Sequence, residues 1–262
     1  MTNGQQAKVS VIMPTFNSLR TLKESISSVM NQTYANWELL ITDDCSTDGS
    51  FEYALCMANK DKRIRVFKNS VNSGAGVSRN KSIEEATGKY IAFLDSDDLW
   101  HPEKLAKQIS FMEVNSVALS YTYYQKISVE GELGAIITSP SNINYKQLLK
   151  SNVIGCLTAI YDQSILGKIY MPKIRKRQDM ALWLKILTKI DEAKCFPEIL
   201  AYYREGHESL SSNKFKVVFS QWHFYRNYLK FGYCKSFYYF TFYMFMAFRK
   251  HNINLLYTSR CV

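Results

Sequence analysis

Short apolar runs alternate with amphipathic stretches along the first hundred residues of the chain. Four of these runs have the composition of buried strands, at residues 8–13, 37–42, 63–67 and 90–94. Between the first two, Leu22, Ile26 and Val29 recur at a spacing that predicts one buried helix face. Strands that alternate with helices imply right-handed crossovers and a mainly parallel sheet with helices on both faces. The pattern therefore predicts an α/β fold, with the first strand ending at Pro14.

Carboxylates crowd at the points where two of the predicted strands end. Two acids follow the second strand and three follow the fourth, namely Asp43, Asp44, Asp95, Asp97 and Asp98. Ligands bind at the carboxyl edge of an open α/β sheet, and clustered carboxylates raise one another's pKa unless a cation lies between them. The run at 95–98 is therefore either a metal site or a set of caps for the helix that opens near Pro102.

Three later segments complete the predicted fold. Residues 117–137 have the alternation of antiparallel strands, with a turn at 130–132. Residues 152–161 read as a further strand, in which Gly155 and Cys156 are small enough to lie against a sugar. Apolar spacing within 174–187 predicts a helix, with Asp179 in its first turn, where a carboxylate also complements the helix dipole.

Composition and charge add one feature, a basic C-terminal tail. The chain has 262 residues, enough for one domain with an appendage, and a formal net charge of +10. Residues 209–262 contain no Asp or Glu but eight Lys and Arg, so most of the net charge lies there. Because the remaining chain is close to neutral, we expect no nucleic-acid partner. The six cysteines lack metal-binding spacing and the polar N-terminus lacks a secretion signal, which predicts reduced thiols in a cytosolic protein.

The tail is also dense in aromatic residues. Its uninterrupted apolar run covers 237–248, which is well short of the roughly 20 residues that span a bilayer. Tyrosines prefer the headgroup level, and the flanking Lys235, Arg249 and Lys250 would meet anionic lipid. The run therefore predicts either an interfacial helical anchor or a helical hairpin packed on the rest of the protein.

Four motifs in order carry a resemblance to a known family. They are Pro14-Thr15-Phe16-Asn17, the acidic segment 41–48, the small-residue segment 74–80, and 93–98 with Pro102. Together they resemble the family 2 glycosyltransferases of the GT-A fold, over roughly residues 8–210. The resemblance implies a catalytic domain at 1–210, with a donor-binding half at about 8–113 and an acceptor half at about 114–210, and a separate basic aromatic tail at 211–262.

The resemblance implies roles for the residues of the donor half. Those that would line the nucleoside pocket are Pro14, Thr15 and Phe16. Asp43 would accept a hydrogen bond from uracil, and Asp95 would lie near the ribose. Asp97 would coordinate Mn²⁺ or Mg²⁺ that bridges the diphosphate. Arg79 would either form a salt bridge with Asp43 or meet phosphate.

In the acceptor half, the resemblance implies that Asp179 is the general base, although Gln178 stands where the family usually has Glu. His207 would be a metal or phosphate ligand, and Arg204 would neutralise phosphate. Asp44 and Asp98, to which the resemblance gives no direct role with donor or metal, are interpreted as supporting or capping residues. These assignments need one catalytic carboxylate only.

The implied activity is inverting, metal-dependent transfer from a UDP-sugar, with UDP-glucose or UDP-galactose expected. The expected acceptor is a lipid-diphosphate-linked saccharide at the inner leaflet, in assembly of bacterial surface polysaccharide such as O-antigen or capsule. A sugar nucleotidyltransferase is one alternative, but it would carry a Gly-rich, basic loop directly after the first strand, where this chain has Pro14-Thr15-Phe16-Asn17. A non-catalytic, membrane-bound nucleotide-sugar sensor is the other.

Overall fold

The computed structural model describes residues 6–206 and 214–258 as one mixed sheet covered by helices. Its strands are β1 Val9–Thr15, β2 Trp37–Asp43, β3 Ile64–Lys68, β4 Tyr90–Phe93, β5 Leu99–Trp100, β6 Leu119–Ile127, β7 Leu133–Ile137, β8 Asn142–Ile143, β9 Ile160–Asp162 and β10 Ala193–Arg204. Its helices are α1 Leu19–Met30, α2 Ser50–Lys60, α3 Ala75–Glu85, α4 Lys104–Val114, α5 Tyr145–Lys150, α6 Gln163–Leu166, α7 Gln178–Ile186, α8 Lys214–His223 and α9 Tyr233–Thr258. A 3₁₀ turn covers Cys156–Thr158 and a π turn covers Phe224–Tyr228.

The strands follow the order β3-β2-β1-β4-β9-β6-β10-β5, with β7 paired to β6 and β8 to β10. The first four are mutually parallel, whereas β9 runs antiparallel to both β4 and β6. One face of the sheet packs on Leu22 and Ile26 of α1, and the opposite face on Ile83 of α3 and Trp183 of α7. The predicted α/β class, mainly parallel with helices on both faces, is confirmed.

The first strand does not end at Pro14 but continues through it to Thr15. The carbonyls of Lys8 and Ile12 accept from the N–H groups of Tyr90 and Leu94 on the β4 side. The backbone N–H and C=O groups of the even-numbered residues of β1 therefore point towards β4. The pairing of β1 with β4 ends at Ile12, before Pro14 is reached. Because no β4 partner requires the missing N–H of Pro14, the strand accommodates the ring.

Two expectations for the later segments were incomplete. The segment 152–161 was expected to be a strand, but it is mostly loop and 3₁₀ turn, and β9 begins only at Ile160. There the carbonyl of Gly155 accepts from both the N–H and the hydroxyl of Thr158, which closes a tight turn instead of extending the chain. The long strand β10 was not predicted, because register shifts on either side of Ile199 interrupt its alternation.

The tail forms helices that pack partly on the sheet domain. Tyr225 is fully buried and its hydroxyl donates to the Leu149 carbonyl, while Tyr239 of α9 joins the same apolar core. The opposite side of α9 exposes large apolar side chains, including Phe237 and Phe248. Within the described ranges, no helix is both long enough and apolar enough to cross a bilayer. The tail therefore has a packed side and an exposed apolar side.

Candidate active site

Asp43 ends β2 directly beside Thr15, the last residue of β1. Its carboxylate is buried and accepts from the Ser46 N–H at 3.1 and 3.2 Å. Pro14 and Thr15 are buried as well, whereas the Phe16 ring is about half exposed. The predicted nucleoside residues thus lie together at the carboxyl edge of the sheet. Because the Asp43 carboxylate is shielded, direct contact with a nucleobase requires the neighbouring loops to shift.

Asp44 fixes the loop that leads into α3. Its Oδ1 accepts from the Asn69 amide at 2.7 Å and the Ser73 N–H at 2.9 Å, and its Oδ2 accepts from the Gly74 N–H at 2.7 Å. Gly74 has a φ of 85°, in the region that favours glycine. These contacts support the interpretation of Asp44 as a supporting residue.

Arg79 pairs with Asp95, where the sequence analysis named Asp43 or phosphate as its partner. Its Nη2 lies 2.5 Å from Asp95 Oδ1, and its Nη1 lies 3.5 Å from Gln178 Oε1. Asp43 is instead occupied by its own turn, whereas α3 directs Arg79 towards the end of β4. Although burial opposes its charge, Asp95 raises the pKa of Arg79 above its usual value, so the guanidinium remains cationic.

The acidic loop after β4 crowds three carboxylates together. Loss of water and the nearby Asp95 carboxylate raise the pKa of Asp97 to about 6, even though part of its side chain is open to solvent. Burial and the charge of Asp97 raise the pKa of Asp98 well above its usual value. Among the described residues, no side chain donates a hydrogen bond to the Asp97 carboxylate. A cation at this loop would relieve the repulsion between these acids.

Arg204 supports this acidic loop from behind. Its N–H donates to Asp98 Oδ1 at 3.0 Å, and its guanidinium donates to the carbonyls of Asp97 at 2.9 Å and Val129 at 3.0 Å. The remaining nitrogen lies 2.5 Å from a Glu24 carboxylate oxygen. The guanidinium is thus committed to acceptors within the protein. This geometry favours a structural position and does not support the expectation that Arg204 neutralises phosphate.

Asp179 lies in the first turn of α7, as predicted, and faces a cavity of about 380 Å³. Other residues that line this cavity are Arg79, Asp95, Asp98, Cys156, Arg175 and Lys176. Asp179 Oδ2 accepts from the Asn152 amide at 2.9 Å, and the Asn152 Oδ1 is buried with no partner among the described residues. The fold therefore brings the predicted base and the acidic loop to one cavity, although they are more than eighty residues apart in the chain.

Aromatic rings form another wall of the cavity. Tyr124 and Tyr203 both line it, and their ring centroids lie 6.2 Å apart in an edge-to-face arrangement. Burial raises the pKa of each hydroxyl to about 12, so both stay protonated at neutral pH. A protonated hydroxyl on an apolar ring suits a sugar, which presents hydroxyls on its edges and C–H groups on its faces.

Sequence reasoning missed two residues that act on the site, Asn152 and Glu24. Asn152 lies in a segment that was interpreted as a strand, and Glu24 is one polar residue among many on α1. No local spacing marks either of them, because each meets its partner only after distant elements pack. The predicted ligand His207 lies outside the described residues. Within those residues, no group of three or more His, Cys, Asp or Glu is arranged to hold a metal.

A mainly parallel sheet with acids at its carboxyl edge and a cavity beyond that edge defines an α/β enzyme of the GT-A type. The profile of "Glycosyl transferase family 2" matches residues 10–169, which is more than half of the chain. The chain belongs to this family and is a glycosyltransferase. This membership sets aside the nucleotidyltransferase and the non-catalytic sensor.

Similar proteins agree on the family. A Bacillus subtilis (strain 168) protein named as a teichuronic acid biosynthesis glycosyltransferase, TuaG, is 44% identical over 86% of this chain and 90% of its own length. An Escherichia coli protein named as UDP-Glc:alpha-D-GlcNAc-diphosphoundecaprenol beta-1,3-glucosyltransferase, WfgD, is 42% identical over 82% of this chain and 83% of its own. The chain is therefore similar along most of its length to enzymes of polysaccharide and lipid-linked sugar biosynthesis.

Solved structures share the fold at lower identity. The crystal structure of S. aureus TarS residues 1–349 in complex with UDP-GlcNAc matches with a TM-score of 0.67 and 22% identity, over 84% of this chain and 67% of that one. A mannosyltransferase from Pyrobaculum calidifontis, in complex with GDP-Man and Mn²⁺, matches with a TM-score of 0.65 and 16% identity, over 87% of this chain and 66% of that one. At these identities the likeness concerns the fold.

Proposed function

We propose that the chain is an inverting, metal-dependent glycosyltransferase that moves a sugar from a UDP-sugar to a lipid-diphosphate-linked saccharide during assembly of bacterial surface polysaccharide. The observation that carries the proposal is the shared cavity, in which Asp179 at the start of α7 faces the acidic loop after β4. One carboxylate base opposite a donor site is the arrangement that single displacement needs. UDP-glucose and UDP-galactose are the first donors to test.

Asp179 acts as the general base in this proposal. It accepts the proton of an acceptor hydroxyl as that oxygen attacks the anomeric carbon, and the bond to the nucleoside diphosphate breaks. The hydrogen bond from Asn152 holds one carboxylate oxygen in place and leaves the other for the acceptor. Gln178 does not interfere with this role, because its amide turns away from Asp179 towards Arg79 and the Ile174 carbonyl.

The donor occupies the carboxyl edge of β1, β2 and β4. Phe16 offers a partly exposed ring to the nucleoside, and Pro14 and Thr15 form the adjoining wall. Asp43 accepts from the base once the loops that cover its carboxylate shift. Asp95 lies near the ribose and is held there by Arg79. The name of WfgD, which includes UDP-Glc, and the UDP-GlcNAc complex of TarS support a uridine nucleotide as the donor.

The acidic loop suits a hard divalent cation, Mn²⁺ or Mg²⁺. Asp97 is partly open to solvent and accepts no hydrogen bond from a described side chain, and burial together with the Asp95 carboxylate raises its pKa to about 6, so a bound cation would stabilise its charged form. Such ions are often held by one or two carboxylates and complete their shell with water and substrate phosphates. Bound there, the ion would stabilise the charge on the departing diphosphate. Asp97 is the proposed ligand, and His207 is a second candidate for the metal or the phosphate.

The acceptor is proposed to be membrane-bound, with the enzyme peripheral on the cytoplasmic face of the inner membrane. The exposed apolar side of α9 and the excess of basic residues in 209–262 suit an interface that contains anionic lipid. The name of WfgD includes a diphosphoundecaprenol acceptor, which supports the same class of substrate here. In this view 1–210 is the catalytic domain and 211–262 the membrane-directed tail.

The test compares donor binding and turnover in matched variants. Asp179→Asn is expected to lower kcat about 10²- to 10⁴-fold while UDP affinity, measured by calorimetry with Mn²⁺, stays unchanged. Asp191→Asn makes the same change at an exposed site and should match the wild type. Asp97→Ala should abolish the Mn²⁺-dependent part of UDP binding. Loss of UDP binding in Asp179→Asn, or a preference for GDP or dTDP over UDP, would contradict the proposal.

A further inference from the structure

Two exposed cations, Arg175 and Lys176, line the same cavity as Asp179, and the reaction proposed above uses neither of them. Within the described residues, neither has a carboxylate within ion-pair distance. Most other Lys and Arg that reach the site are committed, since Arg79 pairs with Asp95 and Arg204 with Glu24. The two cations therefore bring positive charge that no described ion pair holds to the cavity wall beside the base.

The backbone at Arg177 turns sharply between these two residues and α7. Its φ is 64°, an uncommon conformation for a residue other than Gly, Asn or Asp. This turn starts α7 and sends the Arg177 guanidinium to α9, where Nη2 donates to the Tyr243 hydroxyl at 2.8 Å and the guanidinium carbon lies 5.4 Å from the ring centroid. The basic loop is thus attached to the tail helix at the rim of the cavity.

The outer side of α9 next to this attachment is apolar and exposed. Phe237, Met244, Phe245 and Phe248 are each between 40% and 66% exposed. Their spacing places them along one side of the helix, because positions three, four, seven and eleven residues apart share a face. Met244 directly follows Tyr243, so this apolar strip passes the level along α9 at which the basic loop is attached. A ligand that carries both an anionic group and a long apolar chain matches this juxtaposition.

We propose that Arg175 and Lys176 form a subsite for the diphosphate of a prenyl-diphosphate-linked acceptor, whose lipid chain follows the exposed strip of α9. This inference rests on the proposed function and assigns residues to its acceptor. A guanidinium and an ammonium together match a diphosphate in charge, and a guanidinium can bind phosphate oxygens in pairs. The subsite holds the diphosphate while the attached sugar reaches Asp179 in the cavity.

The two cations are assigned to the acceptor because of their neighbours. Ser220 of α8 also lines the cavity, and Arg177, next to Lys176 in the chain, contacts α9, so this part of the wall belongs with the tail. The donor diphosphate is instead assigned to Asp97 and its metal, at the carboxyl edge of β4. The donor diphosphate and a phospholipid headgroup also carry phosphate groups that these two cations could bind, and the experiment separates these sources.

The test measures binding of farnesyl diphosphate by calorimetry to the full chain saturated with UDP and Mn²⁺. The double variant Arg175→Gln, Lys176→Gln is expected to bind farnesyl diphosphate at least about tenfold more weakly than the wild type, because it loses two charge-assisted contacts. Its affinity for UDP and for farnesol should not change. The control Lys60→Gln, Lys62→Gln removes the same charge near the start of β3, at the opposite edge of the sheet, and should bind farnesyl diphosphate like the wild type.

Three results would overturn the inference. Equal farnesyl diphosphate affinity in the double variant and the wild type would remove the subsite. An equal loss of UDP affinity in the double variant would assign the cations to the donor. Loss of binding to phosphatidylglycerol vesicles, with farnesyl diphosphate binding intact, would assign them to lipid headgroups. Failure of the proposed function is distinct, since it would show as no turnover of any UDP-sugar by the wild type, whatever the prenyl diphosphate result.

Discussion

Lys104, the first residue of α4, is fully buried without a carboxylate partner in the described part of the chain. Its Nζ donates to Gln108 Oε1 at 2.6 Å and to the Thr158 carbonyl at 3.1 Å, and lies 5.2 Å from the centroid of the Trp100 ring. Burial lowers the pKa of Lys104 from 10.5 to about 7. We predict that Lys104→Met stabilises the protein at neutral pH, because methionine fills similar space without a charge to desolvate.

The magnitude follows from the pKa difference. At 1.36 kcal/mol per pKa unit, the change from 10.5 to about 7 corresponds to about 5 kcal/mol of lost stability at low pH. Between these values the unfolded chain holds a proton on Lys104 that the folded chain lacks, so this contribution makes stability rise with pH. The stability that the neutral form of Lys104 provides is fully present above pH 10.5 and is lost as the pH falls to about 7. From pH 7 to pH 9 it changes by about 2 kcal/mol.

The net effect of the substitution is smaller than the full penalty. Methionine loses the two hydrogen bonds of Nζ, which together contribute about 2 kcal/mol. Lys104→Met is therefore expected to gain about 2–3 kcal/mol at pH 7, and this gain should shrink by about 2 kcal/mol at pH 9. Urea denaturation followed by tryptophan fluorescence at both pH values measures the difference, provided that the m-values agree.

Lys107→Met is the matched control, because it makes the same chemical change on the solvated side of the same helix. Its stability difference from the wild type should not shrink between pH 7 and pH 9 as that of Lys104→Met does. The reasoning is refuted if Lys104→Met and the wild type differ by the same amount at both pH values. It is refuted as well if the variant is strongly destabilised at pH 7, since that would mean that the lysine is buried as a cation with favourable contacts.

Two further predictions concern the site. Asn152→Asp places a second carboxylate beside Asp179. The kcat at pH 7 should therefore fall about 10- to 100-fold, and the acid limb of the pH–rate profile should move to higher pH. An unchanged pH–rate profile would argue against Asp179 as the base. Arg204→Lys replaces a guanidinium whose three nitrogens meet three acceptors with a compact ammonium group that does not span those positions. Urea denaturation should therefore show a loss of about 2–3 kcal/mol, and calorimetry should show weaker Mn²⁺-dependent UDP binding. Wild-type stability in this variant would contradict the supporting role of Arg204.

The order of strands and helices over the first hundred residues, and the acids at two strand ends, were determined by the sequence alone. Each of these features depends on side chains that are a few residues apart, such as the apolar run before Asp95 or the helical spacing after Asp179. The same local pattern failed where geometry interrupted it. Pro14 lies within β1 because the pairing of β1 with β4 ends before it, and residues 152–158 form a turn instead of an extended strand.

Only the tertiary structure decided which charges meet. Local sequence could not show that Arg79 pairs with Asp95 and not with Asp43, or that Asn152 holds Asp179, because these partners lie 16 and 27 residues apart and meet only when their elements pack. The packing of α9 likewise determined which side of the tail is buried and which side is exposed. Pairwise electrostatics and burial depend on distance in space, and periodicity along the chain carries no information about that distance.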